Sequence, residues 1–264
     1  MTRPPVAVLT YEQSGLDALR QLLDSHPDLA CLAEGRIPGL CKRIFETWQE
    51  VERPGQRGPS SLALAQTRVM INTVLTPILA ARGKLRWCDA SAGSAPSAEF
   101  FDRVFPEARY ICLHRSCTDV IYDAIKSNPW GITAGTFSFF AMAHAGNNVA
   151  ALANYWATQT AAMLDFEETH PDRCWRVHYE DFAADPKATA GDLFSFLDCP
   201  DYPALATLGL FAPMELGAGA GGEKVPVEVL PAHLRIRVND LLNRLGYPPI
   251  RSDEPQRGRV PAGP

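Results

Sequence analysis

The first residues with the types and spacing for chemistry are Gln13-Ser14-Gly15, in the run VAVLTYEQSGLDALRQLLDSHPDLACLAE from Val6 to Glu34. A buried strand, a tight turn at Ser14-Gly15 and a helix N-terminus make a place to hold a phosphate, because backbone amides converge there. The side chains around this turn have the wrong sign for that task. Glu12 and Asp17 flank it, and the first cation after it is Arg20. Further on, His114 and Arg115 close the apolar run RYICLH and set a proton-transfer group beside an anion clamp. As the last residue of a core strand, His114 equally fits a satisfied buried histidine. Asp119 and Asp123 follow on one helix face, where like charges are mildly destabilising unless paired. Arg115 therefore has a structural reading too, as their ion-pair partner. Trp130, Tyr155 and Trp156 offer an aromatic wall for a flat or apolar ligand, with core packing the commoner use of such residues.

The elements that must position these residues read as alternating strands and helices. Val6–Thr10 is a short β-branched run, and Leu16–Ser25 has the helical period, with Leu16, Leu19, Leu22 and Leu23 on one face. His26-Pro27 stops that helix, and Leu29–Leu32 reads as a second short strand. Arg53–Ser61 reads as a loop and Leu62–Ala81 as a long helix. Arg109–His114 is a continuous apolar strand of the kind buried in a parallel sheet. A helix over Thr118–Ser127 ends at Asn128-Pro129-Trp130-Gly131. Asn148–His170 and Pro186–Leu197 read as helices on either side of a strand over Cys174–Tyr179. GAGAGG at 217–222 reads as a flexible loop, Pro231–Leu245 as a last helix, and the Pro/Arg-rich end from Ser252 as a disordered tail. The pattern predicts one α/β domain over residues 1–250, with a short, mostly parallel sheet covered by helices on both faces. Its ligand crevice belongs at the carboxyl ends of the strands, where Tyr11–Gly15 and Arg115 sit.

Composition narrows the partners. The chain has 264 residues, 46% hydrophobic and 21% charged, with a formal net charge of −5. That charge speaks against a nucleic-acid surface, which would want a basic stripe. The seven cysteines are odd in number, scattered, and set in apolar runs such as YICLH and LACLAE, so they read as buried reduced thiols. No Cys/His spacing suggests zinc, and no metal is expected. MTRPPVAVLT lacks a signal-peptide core and no apolar run reads as membrane-spanning, so a cytoplasmic protein without a membrane partner is expected.

Several segments together resemble the sulfotransferases that use 3′-phosphoadenosine 5′-phosphosulfate (PAPS). LRQLLDSHPDLACLAEGRIP resembles the region of the first PAPS loop in the branch that includes tyrosylprotein sulfotransferases. FFDRVFPEARYICLHRSCTDVI resembles the second motif, in which a strand-end arginine binds the 3′-phosphate. VHYEDFAADPKATAGDLFSFLD resembles a structural segment further on, and KVPVEVLP, beginning at Lys224, resembles the C-terminal loop. The resemblance runs over roughly residues 6 to 247 and implies a P-loop-NTPase-like fold.

The departures from the family pattern fall at the positions that would touch the nucleotide. The family's first loop reads proline-arginine-serine-glycine-threonine-threonine. Here Ser14 and Gly15 match it, but Gln13 stands at the cation, and Leu16 and Asp17 stand at the threonines. A lysine expected in WCDASAG is Ala90, and the serine eight residues after Arg115 is Asp123. A desolvated carboxylate beside a phosphate costs several kcal/mol and removes a donor as well. Sulfuryl transfer rests, like phosphoryl transfer, on positioning and on cations at developing charge. The resemblance implies that Glu34 is the general base, with Arg36 its partner or a clamp for an anionic substrate. Asp17, Glu34 and Asp123 occupy family positions near the transferred group.

Three functions follow as expectations. The first is an enzyme of this fold that performs acid/base chemistry on a small molecule of specialised metabolism, without PAPS or another cofactor. Glu34 would then be the base or acid, Asp17 or Asp123 the second carboxylate, and Arg115 the anion clamp. The second is a PAPS-dependent sulfotransferase, its nucleotide held by amides at Ser14-Gly15, by Arg115 and by Lys224, acting on an alcohol or phenol. The third is a catalytically dead scaffold.

Overall fold

The computed structural model describes residues 3–33, 35–55, 58, 60–127, 137–199 and 227–251. Glu34, Trp130, Lys224, the 217–222 segment and the tail from Ser252 lie outside them. The chain divides into two compact units, residues 1–115 with 158–217 and residues 116–157 with 218–264. The sequence reads as one domain over residues 1–250.

The first unit is built on a five-stranded sheet. Its strands are β1 (Val6–Leu9), β2 (Leu29–Ala33), β3 (Arg86–Ala90), β4 (Arg109–His114) and β5 (Cys174–His178). Their order is β2-β3-β1-β4-β5 and every pairing is parallel. All of β1 is buried, and only Arg109 of β4 is not, as apolar runs covered on both faces require. One face carries a cluster of Val6, Val8, Ile111, Leu113 and Val177. Helix α1 (Leu16–Ser25) closes over it with Leu19, Leu22 and Leu23. Phe182 of α8 (Tyr179–Ala184) and Leu193 of α9 (Pro186–Phe196) complete it. The other face is aromatic: Trp87 meets Phe101 and Phe105 edge-on, and Tyr110 meets Phe166.

β3 and α2 (Ile37–Glu52) are elements that the sequence pattern does not announce. β3 reads RWCDA, with two charged residues in five, yet all five are buried. Arg86 is satisfied by backbone oxygens of Pro4 and, at 2.6 Å, Leu197. Asp89 accepts the Ile37 amide at 3.0 Å and the Ser91 hydroxyl at 3.1 Å. A further difference concerns Tyr179, which begins α8 rather than ending β5.

Among the described residues, α3 (Ser61–Arg82) is long and apolar enough to cross a membrane by length and composition. That corrects the expectation that no apolar run reaches spanning length. It packs beside α2 and α4 (Ala98–Val104), burying Ala63, Thr67, Ile71, Leu75 and Leu79 along one stripe.

The second unit contains α5 (Cys117–Ser127), α6 (Ser138–Ala143), the first half of α7 (Asn148–Thr169) and α10 (Ala232–Arg244). Tyr155 and Trp156 have no exposed surface, and Phe137 and Phe140 pack on the Tyr155 ring. Phe137, Phe140 and Tyr155 pack together in this unit, and the full burial of Tyr155 and Trp156 fits core packing.

Candidate functional site

The carboxyl ends of β1, β3, β4 and β5 meet where strand order reverses about β1, the usual ligand position in an open parallel sheet. Side chains lock the strand ends together. Thr10 donates to the Leu113 carbonyl at 2.9 Å. The Tyr11 hydroxyl accepts the Arg115 amide at 2.7 Å and donates to the Arg115 carbonyl at 2.8 Å. The Gly93 amide donates to the Thr10 carbonyl at 2.9 Å, which fixes the loop after β3.

Beyond these ties the turn takes two left-handed steps, Gln13 at φ 64° and Gly15 at φ 90°. Gly15 precedes the first residue of α1, and a Cβ there would land in the ring of Tyr179. Only glycine meets both demands. Arg115, 4% exposed, donates from Nη1 to the Gln13 carbonyl at 2.7 Å, and its guanidinium lies 4.3 Å over the Tyr179 ring.

The result is a cavity of about 250 Å³ lined by Tyr11, Glu12, Gln13, Asp17, Arg20 and Arg115, with Gly15, Leu16 and Ala92 between them. Its wall carries two carboxylates and two guanidinium groups. Arg20 is held by Asp17, Nη2 to Oδ1 at 2.7 Å, and the Asp17 side chain is 80% exposed. An acid in the first turn of a helix also complements the amide dipoles that would otherwise favour a bound anion.

The predicted site residues thus separate. Gln13, Gly15, Asp17 and Arg115 line the cavity, whereas Ser14 is fully buried and is not part of its wall. The Ser14 hydroxyl, expected to face a phosphate, has no hydrogen-bond partner among the described residues. Ala90 is 1% exposed within the apolar cluster on the sheet's α1 face. Arg36 precedes α2 at φ 45°, its amide donating to Ser91 Oγ at 2.9 Å. Glu34 falls between β2 and Arg36 in the chain, outside the described residues. Asp119 and Asp123 lie on α5, in the second unit.

His114 is a correction to the proton-shuttle reading. It has no exposed surface, does not line the cavity, and its Nε2 lies 2.7 Å from Glu167 Oε1 on α7. Arg176 Nε donates to the other oxygen of Glu167 at 2.6 Å. Burial pushes the His114 ring below the usual histidine range, and the carboxylate at Nε2 favours the tautomer that carries its proton there. Burial alone would raise the Glu167 carboxyl, but His114 and Arg176 together hold it below the usual carboxylate range.

Sequence reasoning missed Tyr179, Asp89 and the role of Arg20. Tyr179 ends an apolar run and reads as a strand residue. Asp89 lies in WCDASAG, where attention falls on the missing lysine at Ala90 rather than on the acid beside it. Arg20 had a signal, being one turn beyond Leu16 and i+3 from Asp17.

Comparison with known proteins bears on the same span. A family model described as "Sulfotransferase family" matches residues 4–203. Protein-tyrosine sulfotransferase A of Caenorhabditis elegans is 22% identical over 203 residues, covering 75% of this chain and 51% of that protein. A protein-tyrosine sulfotransferase of Drosophila melanogaster is 23% identical over 207 residues, covering 75% of this chain and 38% of that protein. The chain thus spans about half the length of these curated relatives or less. Among solved structures, the sulfotransferase domain from the curacin biosynthetic pathway covers 94% of this chain and 99% of its own, at TM-score 0.64 and 18% identity. The sulfotransferase domain of the Synechococcus PCC 7002 olefin synthase follows at TM-score 0.59 and 18% identity, covering 94% and 97%. At such identity these structures speak to the fold.

Proposed function

The chain belongs to the sulfotransferase family, and from that premise we propose that it is an enzyme acting on a small molecule by acid/base chemistry that does not use PAPS. The observation that carries this reading is the cradle wall, where Glu12 and Asp17 offset Arg20 and Arg115. PAPS is a polyanion, and each phosphate oxygen needs a cation or a donor facing it. Here Arg20 is engaged by Asp17, Arg115 holds the Gln13 carbonyl, and Ser14 is off the wall. Among the described residues, the wall leaves few free donors for such a polyanion, which supports this reading.

In this reading Arg115 braces the turn, with Tyr11 and Tyr179 fixing its backbone and its guanidinium. Glu34, by its resemblance to the family's base, moves the substrate proton. The solved neighbours named for curacin and olefin synthase pathways support a setting in specialised metabolism.

A second reading, PAPS-dependent transfer to an alcohol or phenol, is favoured by family membership and by Arg115 at the end of β4. Incubation with PAPS and a panel of phenols and alcohols separates the two. The first reading expects no acceptor-dependent release of 3′-phosphoadenosine 5′-phosphate. Sustained release that Arg115→Ala abolishes would establish the second.

A further inference from the structure

Arg20 lines a second cavity as well as the cradle. This one is larger, about 570 Å³, open to solvent and bordered by α1, β2, the start of α2 and the last turns of α3. That volume is in the range of small-molecule sites, which run from about 300 to 1,000 Å³. Leu32, Ala33, Ile37 and Leu75 give it an apolar side, and Ile78 stands at the lip with 37% of its surface exposed. Among the described residues, two cations, Arg20 and Arg82, and one acid, Asp24, carry the charge of the lining.

The acid is already engaged. Asp24 Oδ1 accepts the Cys31 amide at 2.8 Å and lies 3.6 Å from Arg82 Nη1. The same Nη1 donates to the Cys31 carbonyl at 3.2 Å. Both contacts use one nitrogen, which leaves Nε and Nη2 of the Arg82 fork for a ligand. Arg20 contributes a second guanidinium, paired with the exposed Asp17. Among the described residues the lining sums to one positive charge beside apolar side chains.

We propose that this cavity binds an organic anion with an apolar body, its carboxylate or sulfonate between Arg20 and Arg82 and its hydrocarbon against Leu32, Ile37, Leu75 and Ile78. The proposal deepens the function above and rests on it only for the step from ligand to substrate. Binding itself stands on the cavity. The shared Arg20 also couples the two cavities, because Asp17 and the ligand compete for one guanidinium.

Calorimetric titration of the full chain with decanoate, acetate and decanol tests it. Decanoate should bind at least tenfold more tightly than either of the others, since acetate lacks the apolar body and decanol the charge. Arg82→Gln and Arg20→Gln should each weaken decanoate by about tenfold, the scale of one charge-assisted hydrogen bond. Ile78→Asp, at a part-exposed lip, should weaken it as well. Asp17→Asn should strengthen it several-fold by releasing Arg20. Equal binding of decanoate and acetate, equal binding of decanol, or an Asp17→Asn variant that binds no better would overturn the proposal. If decanoate binds as described while PAPS is also turned over, the cavity stands and the PAPS-independent function fails.

Discussion

At the scale of single residues, the turn before α1 is over-determined. Gly15 is left-handed and has the Tyr179 ring where a Cβ would go, and Tyr179 in turn carries the Arg115 guanidinium. Gly15→Ala should therefore cost about 3 kcal/mol, from backbone strain and from displacing a packed ring. Adding Tyr179→Ala should recover part of that loss, so the double-mutant cycle in urea unfolding should be strongly non-additive. Additive effects would mean that glycine is needed for its dihedral alone. The glycine, the serine and Arg115 are legible in the sequence, because strand-turn-helix punctuation marks them. Their partners are not. Tyr179 is 164 positions from Gly15, and nothing near it in the chain signals the contact. Arg20 looks like an ordinary helix cation until its place on two cavity walls is known.

At the scale of elements, β1, β4 and α1 are legible because their apolar periods agree with their final burial. β3 is not, since Arg86 and Asp89 find their partners across the fold. The start of α2 is hidden for a related reason. Its capping residue Arg36 makes no side-chain cap, and the acceptor for Ile37 is supplied by Asp89 on a different strand. A buried carboxylate accepting two hydrogen bonds at a helix start makes Asp89→Ala costly, by about 2–3 kcal/mol. Asp89→Asn, which keeps one acceptor oxygen, should cost less. Amide exchange at Ile37 should speed up in the alanine variant. Unchanged exchange would detach Asp89 from the entry to α2.

The contact between β4 and α7 gives a pH prediction. His114 is held below its ordinary value of 6.5 in the folded chain. As pH falls through about 6.5 the unfolded chain binds a proton that the folded chain refuses, so stability declines from there downward. Glu167, also held low, adds a loss that begins near 4.5 and grows with further acid. Urea unfolding from pH 7.5 to 5 should show this decline. His114→Gln, which keeps a donor for Glu167 without a titrating ring, should flatten it. An unchanged slope in the variant would assign the decline to other groups.

At the scale of the whole molecule, a chain of net charge −5 keeps a phosphate-cradle fold whose cradle wall is neutral in sum. The fold class was legible, because strands alternating with helices leave few arrangements other than a covered parallel sheet. The wall's charge was legible residue by residue, but its ion pairing required the structure. The central claim is that the cradle does not suit the 3′-phosphoadenosine nucleotide. The direct measurement is calorimetric titration with 3′-phosphoadenosine 5′-phosphate of the native chain beside Gln13→Arg/Asp17→Thr. Both substituted positions are exposed, so the variant should fold, and it gains two units of positive charge at the turn while freeing Arg20. The account predicts a dissociation constant of ~0.1 mM or weaker for the native chain and at least tenfold tighter binding for the variant. Low-micromolar binding by the native chain would contradict it.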